Sequence, residues 1–237
     1  LMMAYYYQGS TYRDMNDAPR ALKAFQQAVD VSKQDNILLP KAYNQMGSLF
    51  MYQDLYDEAI RVNRKNIELY TKLGQPNKAA YALRDIARMY SMKEASDSAL
   101  HYYNRACEAA LADKDSARYY STISEMGTYF YQIGKINSAK HILLNACHQN
   151  SIRNKVHIYF TLAYIYTDLQ QLDSAHFYYQ KTLEYNDLKN SYYSLRNLFL
   201  LDKNQGKHQL AIEHIEKALL LKDSIDKITQ TEAIAKI

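Results

Sequence analysis

The 237-residue chain reads as an all-α protein, an α-solenoid of helix-turn-helix units, and three observations carry that reading. Alanine recurs at Ala21, Ala59, Ala99, Ala139, Ala175 and Ala211, at intervals of 38, 40, 40, 36 and 36 residues, each time in the same surrounding pattern. Units of that length with two helical segments cannot bury their apolar faces alone and must stack on one another. Six Gly and three Pro leave little material for strands and tight turns, while Ala, Leu, Gln, Lys and Glu suit long helices. The flanking small and aromatic residues fall at helical spacing, four and three residues apart.

Within each unit the first helix comes first in the argument. Twelve residues before the recurring Ala stand Gly9, Gly47, Ala87, Gly127, Ala163 and Phe199, small in five of six, where two helices can approach closely. Three residues after those are Tyr12, Phe50, Tyr90, Phe130, Tyr166 and Asp202; four before them are Tyr5, Tyr43, Leu83, Ile123, Tyr159 and Leu195. All three positions lie on one helical face. A short polar turn follows, such as Gly134-Lys135-Ile136-Asn137-Ser138. Asp57, Asp97, Asn137 and Asp173, two residues before the recurring Ala, are placed to accept hydrogen bonds from the free amides of the second helix, and Pro19 holds the same region in the first unit. The second helix then continues the stripe four and seven residues past the Ala, as in Phe25 and Ala28, Leu143 and Ala146, or Tyr179 and Thr182. Phe199 and Asp202 break the pattern in the sixth unit, which predicts looser packing there. After it, Leu221-Lys222-Asp223-Ser224-Ile225-Asp226-Lys227-Ile228 leads into a further helix, and both chain ends read as cut within the repeat pattern.

This spacing resembles the tetratricopeptide repeat, with its aromatic, Leu, small, Tyr order on the first helix and Ala, Phe, Ala on the second. The resemblance spans nearly the whole chain and implies a right-handed superhelix formed as a single domain over 1–237. Its repeats run over about 2–35, 40–73, 80–113, 120–153, 156–189 and 192–225, with a partial helix at 226–237. The consensus Trp and Pro are missing, and every interval exceeds the family's usual 34, which implies lengthened helices or loops.

Composition narrows the function. The 29 Lys and Arg are interleaved with 25 Asp and Glu for a net charge of +4, with no basic block, which argues against nucleic-acid binding by this segment. No apolar run is long enough to span a bilayer, so membrane association is expected only through sequence outside this segment. The six Gly all serve close helix contacts or turns, leaving none for a phosphate-cradling loop. Cys107 and Cys147, 40 residues apart, occupy equivalent places in consecutive units, too far apart to bridge, and read as buried free thiols. The seven His do not converge in the sequence pattern; His101 and His141 share a variable, solvated position. No catalytic residues, no metal site and no cofactor are expected, and the chain reads as a non-enzyme.

Twenty-four Tyr and no Trp are the chain's oddest trait. In doublets such as Tyr5-Tyr6, one ring faces the core and the next is turned about 100° away, toward an exposed face where Tyr serves partner contacts. The resemblance further implies that first helices line an inner wall. It places there Tyr6, Ser10 and Arg13; Asn44, Ser48 and Met51; Arg84, Arg88 and Ser91; Ser124, Thr128 and Tyr131; Phe160, Tyr164 and Thr167; and Arg196, Leu200 and Lys203. Arg84 and Arg88, one turn apart, are the pair best suited to clasp a carboxylate, with Asn44 available for a ligand backbone. The expected partner is a protein or peptide, with an acidic group or C-terminal carboxylate. The tail and the Tyr-rich units also resemble sensor regions of bacterial membrane-bound regulators, which implies an extracytoplasmic, periplasmic location and a signalling or transcription-regulatory role. A cytoplasmic receptor for signalling peptides and a structural scaffold are the alternatives.

Overall fold

The computed structural model describes residues 1–32, 38–149 and 155–234, with side chains through 231. The ends of the first and fourth repeats as read from sequence, 33–35 and 150–153, and the closing 235–237 lie outside the described residues. Among the described residues are twelve α-helices, one short 3-10 helix at Pro76–Ala79, and no strand. The helices are α1 (Met2–Asp14), α2 (Ala18–Asp30), α3 (Leu39–Tyr52), α4 (Tyr56–Lys72), α5 (Ala80–Met92), α6 (Ser96–Ala112), α7 (Ser116–Gln132), α8 (Ile136–Cys147), α9 (Val156–Asp168), α10 (Leu172–Leu183), α11 (Leu188–Asn204) and α12 (His208–Ile234). They form two compact units, Leu1–Met126 and Gly127–Ile237, with the division inside α7.

In the first unit α1 pairs with α2, α3 with α4 and α5 with α6; each second helix also packs on the next first helix, and α3 adjoins α5. The second unit repeats the scheme with α9 on α10, α11 on α12, and α9 adjoining α11. All six recurring alanines are buried, from 0% exposed at five of them to 3% at Ala211. Each begins the buried stripe of a second helix, where a larger side chain would push the hairpin apart.

The small position opposite is equally strict. A Cβ built on Gly9 would lie 2.8 Å from the Phe25 ring, on Gly47 2.6 Å from Asn63 Nδ2, and on Gly127 2.8 Å from Leu143 Cδ2. Phe25, Asn63 and Leu143 occupy one repeat position, four residues past the recurring Ala. Glycine at these sites therefore sets the separation of the two helices in each hairpin.

Six hairpin turns share one geometry. The residue five before the recurring Ala is left-handed throughout: Asn16, Asp54, Glu94, Gly134, Gln170 and Gly206 have φ from 56° to 75°. One residue later an amide closes the turn onto the carbonyl at the aromatic position, as in Asp17 N to Tyr12 O at 2.8 Å and Lys207 N to Asp202 O at 2.8 Å. This is a Schellman closure, which satisfies carbonyls that the helix end leaves unpaired.

The capping expectation is corrected. Asp57, Asp97, Asn137 and Asp173 are the second residues of their helices, and the N-caps Leu55, Ala95, Lys135 and Gln171 make no side-chain cap bond. The Schellman closure uses the residue before the helix as its last link, leaving the polar side chain inside the first turn. There the acids face the positive end of the helix dipole without capping it. Asp17 does cap α2, through the Arg20 amide, with Pro19 in the first turn.

The long intervals have a local cause. The two 40-residue steps contain α4 and α6, each of 17 residues, whereas the 36-residue steps contain α8 and α10, each of 12. Looser packing in the sixth repeat is not observed: Leu195, Leu198, Leu201, Ala211 and Ala218 are buried, and so is Asp202.

Candidate functional site

The face on which consecutive first helices adjoin is stitched across by polar side chains, described for each unit in turn. In the first unit, the Arg13 guanidinium donates to Gln45 Oε1 at 2.6 Å, tying α1 to α3. Arg84 donates to Ser121 Oγ at 3.2 Å, and Arg88 donates through Nη2 to Glu125 Oε1 at 2.6 Å and through Nε to Oε2 at 3.3 Å. Arg84 Nε also lies 3.4 Å from Glu125 Oε1. Asp85 sits beneath both guanidiniums, 3.7 Å from Arg84 and 3.8 Å from Arg88.

The expected arginine pair is thus already grasping a carboxylate, that of Glu125 on α7. The four side chains balance two positive against two negative charges, with Arg84 only 13% exposed and Glu125 28%. Burial pushes the Asp85 carboxyl above its ordinary value, against the pull of Arg84 and Arg88. Burial alone would lower Arg88, but Glu125 and Asp85 raise it instead. A closely held ion cluster with bidentate geometry is far from the weak, solvated pair of an exposed surface. Removing both guanidiniums would strand Asp85 and Glu125 without counter-charges, so alanine substitution there acts on stability.

Tyr81 adds a cationic step beside it. The guanidiniums of Arg84 and Arg118 lie 4.8 and 4.5 Å from the centre of its ring, which is itself exposed to solvent. Asn44 is half-buried, and its side-chain oxygen accepts a 2.6 Å bond from the buried Asn66. Ser48, one turn on, is half-buried on α3. Tyr6 packs on the Phe25 ring at 5.7 Å, and its neighbour Tyr7 is the exposed member of the triplet. The sequence rule that one ring of a doublet turns inward holds, but here Tyr6 shares the inner side.

In the second unit, Tyr131 donates to Asp168 Oδ2 at 2.7 Å and Thr128 meets Thr161 at 3.4 Å, linking α7 to α9. Asn197 on α11 donates to the Tyr164 hydroxyl at 3.3 Å. Burial and the Asp168 carboxylate together push the Tyr131 phenol upward. Phe160 and Tyr164 meet edge to face at 4.9 Å, and both turn toward the buried Tyr179 ring. Arg196 is exposed, its guanidinium 5.7 Å from the Tyr192 ring centre. The structure brings Tyr131, Phe160 and Tyr164 onto adjoining helices α7 and α9, with Arg196 on α11.

One constellation was missed. The reading that the histidines do not converge is corrected for two of them: His176 on α10 and His214 on α12 both turn to Asp202 on α11. His214 Nδ1 is 2.8 Å from Asp202 Oδ2, and His176 Nε2 is 3.5 Å from Oδ1. Asp202 has no solvent exposure at all. The His214 imidazole, hydrogen-bonded to one oxygen, and His176 beside the other accompany the carboxylate where five repeats hold an aromatic ring. Burial lowers the His176 imidazole, outweighing the attraction of Asp202. The available signal was Asp202 itself, an acid at an aromatic position. Among the described residues no group of three or more His, Cys, Asp or Glu is arranged to hold a metal ion, and no helix is long and apolar enough to cross a membrane.

Stacked helical hairpins with an alanine-marked interface define a repeat protein built for surface contacts. Two models of the tetratricopeptide repeat family match, over residues 38–112 and 156–187, and the chain is a tetratricopeptide repeat protein. No curated protein matches it. Among solved structures it is similar to BtubC (BKLC) from P. vanneervenii, at 15% identity over 90% of this chain and 91% of that one, with a TM-score of 0.71. It is also similar to PilW, a widely conserved type IV pilus biogenesis factor, at 16% identity over 91% of each chain and a TM-score of 0.69. A third is the Rap conjugation gene regulator of plasmid pLS20 in complex with the Phr* peptide, at 14% identity over 95% of this chain and 74% of that one, with a TM-score of 0.67. At these identities the likeness is one of fold, and with the family it makes this a protein-binding repeat domain.

Proposed function

We propose that the chain is a non-catalytic peptide- or protein-binding domain, the partner-sensing part of a bacterial signalling or transcription-regulatory protein. Its ligand carries an acidic group or a C-terminal carboxylate. The observation that carries this reading is the grip on Glu125: Arg88 meets the carboxylate with bidentate geometry, and Arg84 Nε stands 3.4 Å from the same carboxylate. A ligand carboxylate takes the place of Glu125, with Asn44 and Ser48 on α3 and Tyr6 on α1 offering further contacts in the same unit. Tyr131, Phe160, Tyr164 and Arg196 form the corresponding aromatic and cationic surface of the second unit. The similarity to a Rap regulator solved with a peptide supports a peptide as occupant.

The test is a fluorescence titration with a peptide library whose members end in a free carboxylate or in an amide. Arg84→Lys with Arg88→Lys keeps both charges but loses the planar forks, and is expected to weaken binding of the carboxylate peptides about tenfold. Equal affinity for wild type and double variant removes the reading. Glu125→Gln withdraws the internal competitor and is expected to tighten the same peptides.

A further inference from the structure

Most arginines of the first unit are tied to acids, and those that are not gather in one place. Arg13, Arg20, Arg84, Arg88 and Arg118 each pair with a carboxylate. Among the described residues no carboxylate pairs with Arg61, Arg64 or Arg105, nor with Lys65. Arg61, Arg64 and Lys65 stand exposed on one face of α4, along an open groove of about 490 Å³. The groove has an apolar floor, made by the buried Ile60 and the half-buried Tyr90 ring of α5. Tyr90 stacks on Tyr102 of α6 with ring centres 5.5 Å apart, and the Arg105 guanidinium lies 5.4 Å from the Tyr102 ring centre. Arg64 donates to the Tyr90 hydroxyl at 2.9 Å, which holds its guanidinium over the ring pair.

This groove is separate from the Glu125 cluster. Tyr90 follows Arg84 by six residues and Arg88 by two, a rotation of about 240° and about 200° around α5, so it opens on the opposite side of that helix. The hairpin itself does not call for the cations. At the Arg64 position the other repeats carry Gln26, Asn104, Leu144, Gln180 and Glu216. Three unpaired positive charges within one turn repel one another, and an apolar floor directs their field toward an incoming anion.

The acids at its two ends set the length of what it can hold. Asp57 and Glu68 lie on the same face of α4, before and after the cationic row, with Asp57 held by Lys93. The helix rises about 16 Å from Asp57 to Glu68, and only its middle is cationic. A nucleic-acid backbone running along the groove would bring a phosphate against Glu68. Two carboxylates about 6 Å apart, on residues one turn apart in a helix or on alternate residues of a strand, match the row from Arg61 to Lys65. We propose that the groove docks a short acidic segment of a partner protein. Arg61 and Arg64 take its carboxylates in their planar forks, Lys65 adds a third charge, and the Tyr90 and Tyr102 rings receive the aliphatic stems of the acidic side chains.

Fluorescence anisotropy tests this with a labelled, C-terminally amidated helical alanine peptide bearing two glutamates one turn apart. Its glutamine counterpart and a single-stranded oligothymidylate are the comparison probes. The glutamate peptide is expected to bind most tightly, and Arg61→Gln with Arg64→Gln to weaken it about tenfold. Helical circular dichroism is expected to stay unchanged, because neither guanidinium holds a carboxylate in the fold. Lys65→Glu is expected to weaken the same peptide and covers the case in which the double variant unfolds. Arg84→Lys with Arg88→Lys is expected to leave this affinity as it is, which separates the groove from the carboxylate site proposed above. No binding of the glutamate peptide, or equal binding of its glutamine counterpart, overturns the proposal. So does tighter binding of the oligonucleotide, or a loss confined to the Arg84 and Arg88 variant.

Discussion

At the scale of single residues, the chain is governed by sites where one atom too many has nowhere to go. Gly127→Ala places a methyl 2.8 Å from Leu143 Cδ2 and Cγ and 3.1 Å from Ile142, so either the leucine shifts or the hairpin opens. The expected loss is about 1 to 3 kcal/mol, read from urea unfolding. An unchanged midpoint would mean that α7 and α8 are not held at this separation. Titration adds a second residue-scale prediction. His176 has a lowered pKa in the folded chain because burial disfavours its charged form. Below its unfolded value of 6.5 the unfolded chain takes up the proton first, so stability is lost as pH falls from there and the loss is complete once the folded imidazole also protonates. Comparison of wild type with His176→Gln at pH 7.5 and pH 5 is expected to show a smaller acid loss in the variant.

At the scale of elements, the hairpins were legible because side-chain volume is written in sequence: small residues, rings and alanines recur at positions that proved to face one another. Backbone conformation was less visible. Only Gly134 and Gly206 announce the left-handed turn residue, while Asn16, Asp54, Glu94 and Gln170 adopt it under the pull of the Schellman bonds. Glu94→Gly removes about 1 kcal/mol of left-handed strain, partly offset by a freer unfolded chain, and is expected to raise the melting temperature slightly. A fall would show that the Glu94 side chain makes a stabilising contact in the turn. The candidate site was legible as residue types and not as pairings. Arg84 and Arg88 stand out on one helix face, but Glu125 lies 37 residues away and becomes their partner only through the stacking of α5 on α7. His176, Asp202 and His214 were hidden for the same reason, three elements contributing one group each.

At the scale of the whole molecule, the two thiols report on the two units separately. Cys107 lies in the first and Cys147 in the second, both buried and free. Burial pushes the Cys107 thiol up to about 11 and raises that of Cys147 as well, so neither is a ready nucleophile at neutral pH. Ellman's reagent is expected to label neither in the native protein and both in denaturant. Rapid labelling of one alone in buffer would identify a unit that opens on its own, as arrays stabilised mainly by neighbour contacts are able to do.

The six left-handed turn residues are all exposed at the ends of their hairpins, and four kinds of side chain besides glycine already occupy them. They are consequently natural anchorage points for fluorophores. Paired dyes at Asp54 and Glu94, or at Gln170 and Gly206, would act as a ruler along each unit, able to register stretching or tightening when a partner docks without disturbing any interface that holds the helices together.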